Sequence, residues 1–528
     1  MIYNCVRPSK IISIQAISNF FNELFLVRLQ SQYLFACMSP LGILLIIACY
    51  FAVILVISYY TGRYADNAGF FIGNRKSPWY VVSFGMIGAS LSGVTFISVP
   101  GWVLDSQFSY MQIVLGYLLG YYVIANVLLP IYYRLNLTSI YTYLQGRFGH
   151  WSYKTGASFF LLSRIIGASF RLFLIANVLQ ITVFEAMGVP FLITVVITIL
   201  LIWLYTNRGG IRTIIWTDTL QTIFMITAVI LTIVLIGRSL DLDFRGMVRT
   251  IADSPYSRMF FFDDWADRNF FAKQFLSGAF IAIVMTGLDQ DMMQKNLSCR
   301  NLKEAKRNVY WLSISLLPVN LIFLSLGVLL LVFAGRTGIA LPDMTDDLFP
   351  LISTGGYLAP VVTVFFVVGL VAAAYSSADS ALTSLTTSFT VDILGGLDKP
   401  EDELRRTRKR VHIMISVLLL GVILIFRAIN DQSVISALFT AAGYTYGPLL
   451  GMYSFGLFTG LAVRDRLVPL VCVLSPVLSY LLSRFSAALP GGYEFGFELL
   501  IVNGLLTFLG LLLIRKRPQD PQLDLPAE

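Results

Sequence analysis

The sequence predicts an all-α polytopic membrane protein with about thirteen transmembrane helices, and three observations carry that prediction. Of 528 residues, 57% are hydrophobic and 13% charged. Mean hydropathy is +0.75, and the charged fraction is about half that of ordinary soluble domains. Apolar runs long enough to cross a bilayer recur along the whole chain. Finally, Lys and Arg cluster in every second connection between those runs.

The net charge of +8 and a pI near 9.1 could point to nucleic acid. The basic residues instead sit in short loops between apolar segments, where they orient a membrane protein, so a nucleic-acid partner is not expected. Cys5, Cys37, Cys49, Cys299 and Cys472 show no metal spacing. His150 and His412 are the two histidines, which argues against a histidine-based catalytic or metal centre. No nucleophile or metal cluster stands out, so an enzyme is not expected. His412, beside the Arg-rich run at 405–410, reads as an interfacial residue.

Residues 1–37 scatter Arg7, Lys10 and Arg28 among short apolar pieces, with no signal-peptide cleavage pattern. Met38 opens directly onto SPLGILLIIACYFAVILVISYYTG, so 1–37 read as an N-terminal extension. The expected spans are 41–62, 80–104, 112–133, 155–186, 190–206, 211–237, 271–294, 309–335, 357–394, 411–428, 434–462, 467–484 and 497–514. Basic connections hold Arg63, Arg75 and Lys76; Arg134 and Arg147; Arg208 and Arg212; Lys295, Arg300, Lys303, Lys306 and Arg307; Lys399 to Arg410; Arg464 and Arg466; and Arg515 to Arg517. The loops between them are poor in Lys and Arg or rich in acids, as from Asp241 to Asp267. This asymmetry puts the mature N-terminus outside and the C-terminus in the cytoplasm of a multi-pass cell-membrane protein, with 515–528 as a short polar tail.

In the second span, GASLSGVTFISVPG carries Gly93, Pro100 and Gly101, which weaken a helix in mid-membrane. Packing alone would explain them, since Gly and Pro are common in membrane helices. A broken helix that lines a cavity would explain them too, because it frees carbonyls to hold ions and solute. In the ninth span, VAAAYSSADSALTSLTTSFTVD concentrates hydroxyls around Asp379. Such groups at bilayer depth face protein, water or an ion. Small residues also serve close helix packing, which is the plainer reading of the serines. An all-oxygen sodium cage could combine carbonyls of the second span between Gly88 and Leu91 with Ala373, Ser376 and Ser377, which share a helix face.

Asp218, near the cytoplasmic end of the sixth span, is either a helix-start residue or a carboxylate needing a partner at depth. Arg171 falls near the middle of the fourth span, too deep to snorkel. It either pairs with an acid, Asp379 being one candidate, or awaits an anionic group on a solute. Arg164, nearer the cytoplasm, reads as interfacial or structural.

Six motifs in order carry a family resemblance: ADNAGFFIGNRKSPW, GASLSGVTFISVPG, YTNRGGIRTIIWTDTLQ, GLDQDMMQKNLSCRNLKEAKR, SSADSALTSLTTSFTVD and AAGYTYGPLLGMYSFGLF. Over about 40–515 the chain resembles the sodium:solute symporters, which carry sugars, proline, pantothenate, sialic acid and iodide. The resemblance implies a five-plus-five inverted-repeat core with broken helices over 80–462, its repeats at 80–238 and 271–462. The first span (38–79) and the last two (463–514) would flank that core. It implies a main sodium site from the carbonyls of Gly88, Leu91 and Ala373 and the hydroxyls of Ser376 and Ser377. A second ion site, present in some members, would involve Asp218, Ser376, Ser380 and the position of Asp379, where the family's hydroxyl is here a carboxylate. Solute-lining positions would be Ser92, Thr95, Pro100, Arg171, Met285, Gln290, Phe439 and Thr440. Met285 and Pro100 argue against a hexose, and Arg171 favours an anion.

The expected function is sodium-coupled import of a small organic solute by alternating access, with no cofactor and no obligate protein partner. Proton coupling through Asp379 or Asp218, and a membrane-embedded solute sensor, are the alternatives.

Overall fold

A computed structural model describes residues 40–62, 67–396, 399–429, 434–485, 493 and 495–516. The proposed extension 1–37 and the tail beyond 516 lie outside the described residues. Among the described residues the chain is helical, with no strand and two isolated β-bridges, Ser77 with Cys299 and Val463 with Arg515.

The helices that position the site are α1 (Pro40–Gly62), α2 (Trp79–Ser106), α3 (Tyr110–Arg134), α4 (His150–Leu179), α5 (Phe191–Gly209) and α6 (Ile211–Ser239). They continue with α7 (Phe271–Ala282), α8 (Gln290–Leu297), α9 (Leu302–Thr337), α10 (Pro360–Ser388) and α11 (Glu401–Ile429). The series ends with α12 (Val434–Thr445), α13 (Gly447–Phe458), α14 (Val468–Arg484) and α15 (Leu499–Leu513).

Among the described residues, nine of these are long and apolar enough to span a membrane. The α7–α8 pair, bent by 66° after Gly287, makes a tenth. Shorter helices occupy the other three expected segments: α5, the α12–α13 pair and α15.

Burial sorts the spans. The apolar stretch of α2 is 89% buried and that of α10 82%, against 33% for α1 and 22% for α14. With no hydrophobic force between helices in lipid, such burial depends on close packing of small residues. Helices α6, α9 and α10 pack around α2. A Cβ on Gly88 would lie 2.1 Å from Thr222 Oγ1 of α6, and one on Gly327 of α9 would lie 2.4 Å from the Pro100 carbonyl.

The break in α2 falls at Ser92, whose φ of 51° and ψ of 173° are non-helical. Of the three residues expected to weaken the span, Gly93 adjoins this break, whereas Pro100 and Gly101 do not interrupt the helix. The helix runs through both to Ser106, because the Pro100 face is packed against Gly327 of α9.

His412 is also relocated. It is buried inside the bundle between Thr206 Oγ1 at 3.1 Å and Thr386 Oγ1 at 2.9 Å, not at an interface. Its two ring nitrogens link α5, α10 and α11.

Candidate functional site

A cavity of about 90 Å³ opens beside the Ser92 break. The break supplies Ser90, Ser92 and Thr95; α3 supplies Tyr110, Tyr117 and Tyr121; α4 supplies Arg164 and Arg171. The remaining wall comes from Met285 and Thr286 at the end of α7, Asn320 of α9 and Phe439 of α12. Ser92, Thr95, Arg171, Met285 and Phe439 are thus brought together as the sequence suggested.

Three expected lining positions lie elsewhere. Gln290 is fully buried and spent on backbone, accepting from Ile140 N at 2.9 Å and donating to Thr138 O at 2.8 Å. Pro100 packs on α9. Thr440, one residue past Phe439, turns toward a wider vestibule of about 560 Å³ that also exposes Asp105, Arg268 and Asp343.

An aromatic cluster separates cavity from vestibule. Phe439 meets Phe497 at 5.0 Å and Tyr110 at 6.5 Å between ring centroids, and Trp102 meets Tyr110 at 5.8 Å. Rings at these separations pack favourably, so a solute passing between the two spaces must displace them.

The two arginines of α4, seven residues apart and so on one helix face, meet different fates. Arg164 is ion-paired with Asp291 and lies 3.8 Å from Asp289. Asp289 caps α8, accepting from Asp291 N at 2.9 Å, and also accepts the Tyr446 hydroxyl. Arg164 is therefore a buried structural residue and not an interfacial one. Arg171 is 8% exposed, lines the cavity and has no ion pair or hydrogen bond among the described residues. The expected Arg171–Asp379 pairing is absent because Asp379 lies on α10, where its Oδ1 accepts the Ser380 amide at 2.5 Å.

The carboxylate of Asp218, completely buried on α6, accepts Lys295 Nζ at 2.7 Å on Oδ2 and Ser376 Oγ at 2.6 Å on Oδ1. Lys295 is therefore not a loop cation. The bend before α8 folds it inward until its side chain is 1% exposed. Nothing in the spacing of GLDQDMMQKNL marks this inward turn; the capping Asp289 before QDM was the available signal for a new helix start.

Gly88 and Leu91 are buried on the first limb of α2, which packs directly against α10. On α10, Ala373 and Ser377 are buried, with Ser377 Oγ 3.4 Å from the Ala373 carbonyl. Ser376 Oγ donates to Asp218, and Ser380 is buried one turn beyond.

At the vestibule end, Asp346 accepts Val434 N at 3.0 Å and so ties the 345–347 turn to the start of α12. Burial pushes its carboxyl up to about 6, opposed by that hydrogen bond. The folded protein thus holds this proton more tightly than the unfolded chain. The group's stabilisation is complete below about pH 4 and lost as pH rises through 6, a change of about 2–3 kcal/mol. Melting temperature should fall over that window, and Asp346→Asn should flatten the fall.

Residues 70–460 match the family model of the sodium:solute symporter family. The chain is 26% identical over 469 residues to the sodium/sialic acid symporter NanT of Aliivibrio fischeri, covering 81% of this chain and 85% of that protein. It is 27% identical over 471 residues to the sodium-coupled monocarboxylate transporter 1 of Xenopus laevis, covering 83% and 70%. Among solved structures, a Na+-coupled sialic acid symporter in a substrate-bound, outward-open state superposes with a TM-score of 0.75 at 20% identity, covering 89% of this chain and 97% of that one. Mhp1, a nucleobase-cation-symport-1 family transporter, superposes with a TM-score of 0.55 at 15% identity, covering 85% and 94%.

Proposed function

The chain belongs to the sodium:solute symporter family, and from that premise we propose that its solute is an organic carboxylate held by Arg171. The protein is a membrane-embedded, sodium-coupled symporter that works by alternating access and not an enzyme. The observation that carries the solute class is Arg171: a buried guanidinium in the cavity wall without an acidic partner among the described residues. Its planar fork of donors suits a carboxylate, and a buried guanidinium with no ion pair or hydrogen bond is costly. Relatives named for sialic acid, monocarboxylates and iodide all carry anions.

For sodium we propose the cage of Gly88, Leu91 and Ala373 carbonyls with the Ser376 and Ser377 hydroxyls, where the broken limb of α2 meets α10. Thirteen spans, a five-plus-five repeat flanked by α1 and by α14 with α15, an outside N-terminus and a cytoplasmic C-terminus complete the reading; the low burial of α1 and α14 supports their flanking position. Sodium held by α2 and α10 favours one arrangement of the bundle and thereby solute binding, and each ligand tightens the other by the same factor.

The test is thermal shift of purified protein against a panel of carboxylates, sugars, amino acids and vitamins, with and without sodium. A sodium-dependent rise confined to carboxylates is expected; a response to neutral sugars alone overturns the solute class. Ser377→Ala removes one cage oxygen and should raise the sodium needed for half-maximal uptake roughly tenfold or more, since hydrogen-bond-like contacts to a charge are worth about 1.5–3 kcal/mol. An unchanged sodium curve would refute the cage.

A further inference from the structure

The Asp218 site, which shares Ser376 with the sodium cage, holds a charge pair that the cage does not use. Lys295 comes from the last turn of α8, the limb beyond the 66° bend, and reaches Asp218 of α6 at 2.7 Å while Ser376 of α10 holds the other carboxylate oxygen at 2.6 Å. Lys295, Asp218 and Ser376 are all buried, and both carboxylate oxygens are engaged. The backbone on either side is fixed: Ser298 Oγ donates to the Lys295 carbonyl at 2.6 Å, and Thr222 Oγ1 to the Asp218 carbonyl at 2.7 Å.

We infer that the Lys295 ammonium is the resident cation of the Asp218 site, occupying the place a second co-transported sodium would need, so that each cycle carries one sodium. An ammonium is a compact point charge equal in sign and magnitude to sodium, and it is tethered to the chain. A metal ion approaching Asp218 would have to displace it from a site shielded from water, where the opposite charges attract strongly. The tether has a mechanical consequence. The pair joins the bent limb α8 to α6 and α10, so any swing of α8 must part Lys295 from Asp218, whereas a bound sodium would simply leave.

The inference rests on the sodium cage proposed above, and sodium counting on purified full-length protein separates the two. Equilibrium binding of radioactive sodium in mildly alkaline buffer needs no knowledge of the solute. Wild type should bind one sodium per chain. Lys295→Gln strips Asp218 of its cation and should bind two, and Asp218→Asn combined with Lys295→Gln should return the count to one. Two sodiums on wild type, reduced to one by Asp218→Asn, overturn the inference and leave the cage intact. A count of one on folded Lys295→Gln also overturns it. Wild type that binds no sodium removes the cage and this inference together. Because Lys295→Gln leaves a buried carboxylate unpaired and is at risk of misfolding, Ser377→Ala gives an independent reading: its single sodium should bind roughly tenfold more weakly, and a sodium that keeps wild-type affinity in Ser377→Ala and is lost on adding Asp218→Asn overturns the assignment.

Discussion

Arg171→Ala abolishes uptake of the carboxylate substrate while the protein still folds. Removing one partner of a desolvated charge pair costs about 2–5 kcal/mol, so the apparent affinity for the solute should fall at least about 30-fold. Folding should survive because no group among the described residues loses a partner when the guanidinium goes. Arg171→Lys keeps the charge and loses the planar fork, and should recover part of the affinity. The check is sodium-driven uptake into proteoliposomes together with the monodispersity of the purified variant. Normal uptake of an identified carboxylate by Arg171→Ala would remove the residue from the site.

The same truncation two turns earlier should act in the opposite way. Arg164→Ala strands Asp291, and weakens the setting of Asp289, in the buried junction of α4 with α8. Breaking a buried ion pair from one side costs about 3–5 kcal/mol, so the variant should be recovered in poor yield with a lowered melting temperature. Neutralising both ends, as in Arg164→Met with Asp291→Asn, should restore much of that loss, since a neutral replacement of similar volume leaves no uncompensated charge. Full stability of Arg164→Ala would show that the pair carries no structural load. Two arginines on one face of α4 are thereby told apart, one by loss of transport in a folded protein and the other by loss of the fold.

Much of this was legible in order along the chain. The apolar runs and alternating basic loops pointed to a helical membrane protein, and the glycine-rich stretch before Thr95 pointed to a break in α2, which the structure puts at Ser92 while Pro100 stays within the helix. Five of eight expected lining residues meet in one cavity. Gln290 misled because a buried amide serves backbone as readily as solute, and here it satisfies the 138–140 turn. Lys295 misled because a lysine at the end of an apolar run ordinarily marks a membrane surface.

The sequence by itself determined the membrane class, the order of the segments, the family and the presence of buried charges at Asp218, Arg171 and Asp379. These depend on composition, on spacing and on the cost of polar groups in lipid, all of which can be read residue by residue. The tertiary structure alone decided which charges meet. Arg164 goes to Asp291, Lys295 to Asp218, and Arg171 to the cavity. Those pairings follow from a 66° bend before α8 and from the packing of α2 against α6, α9 and α10. A pair of opposite charges separated by 77 residues, such as Lys295 and Asp218, leaves no local pattern from which the contact could be foreseen.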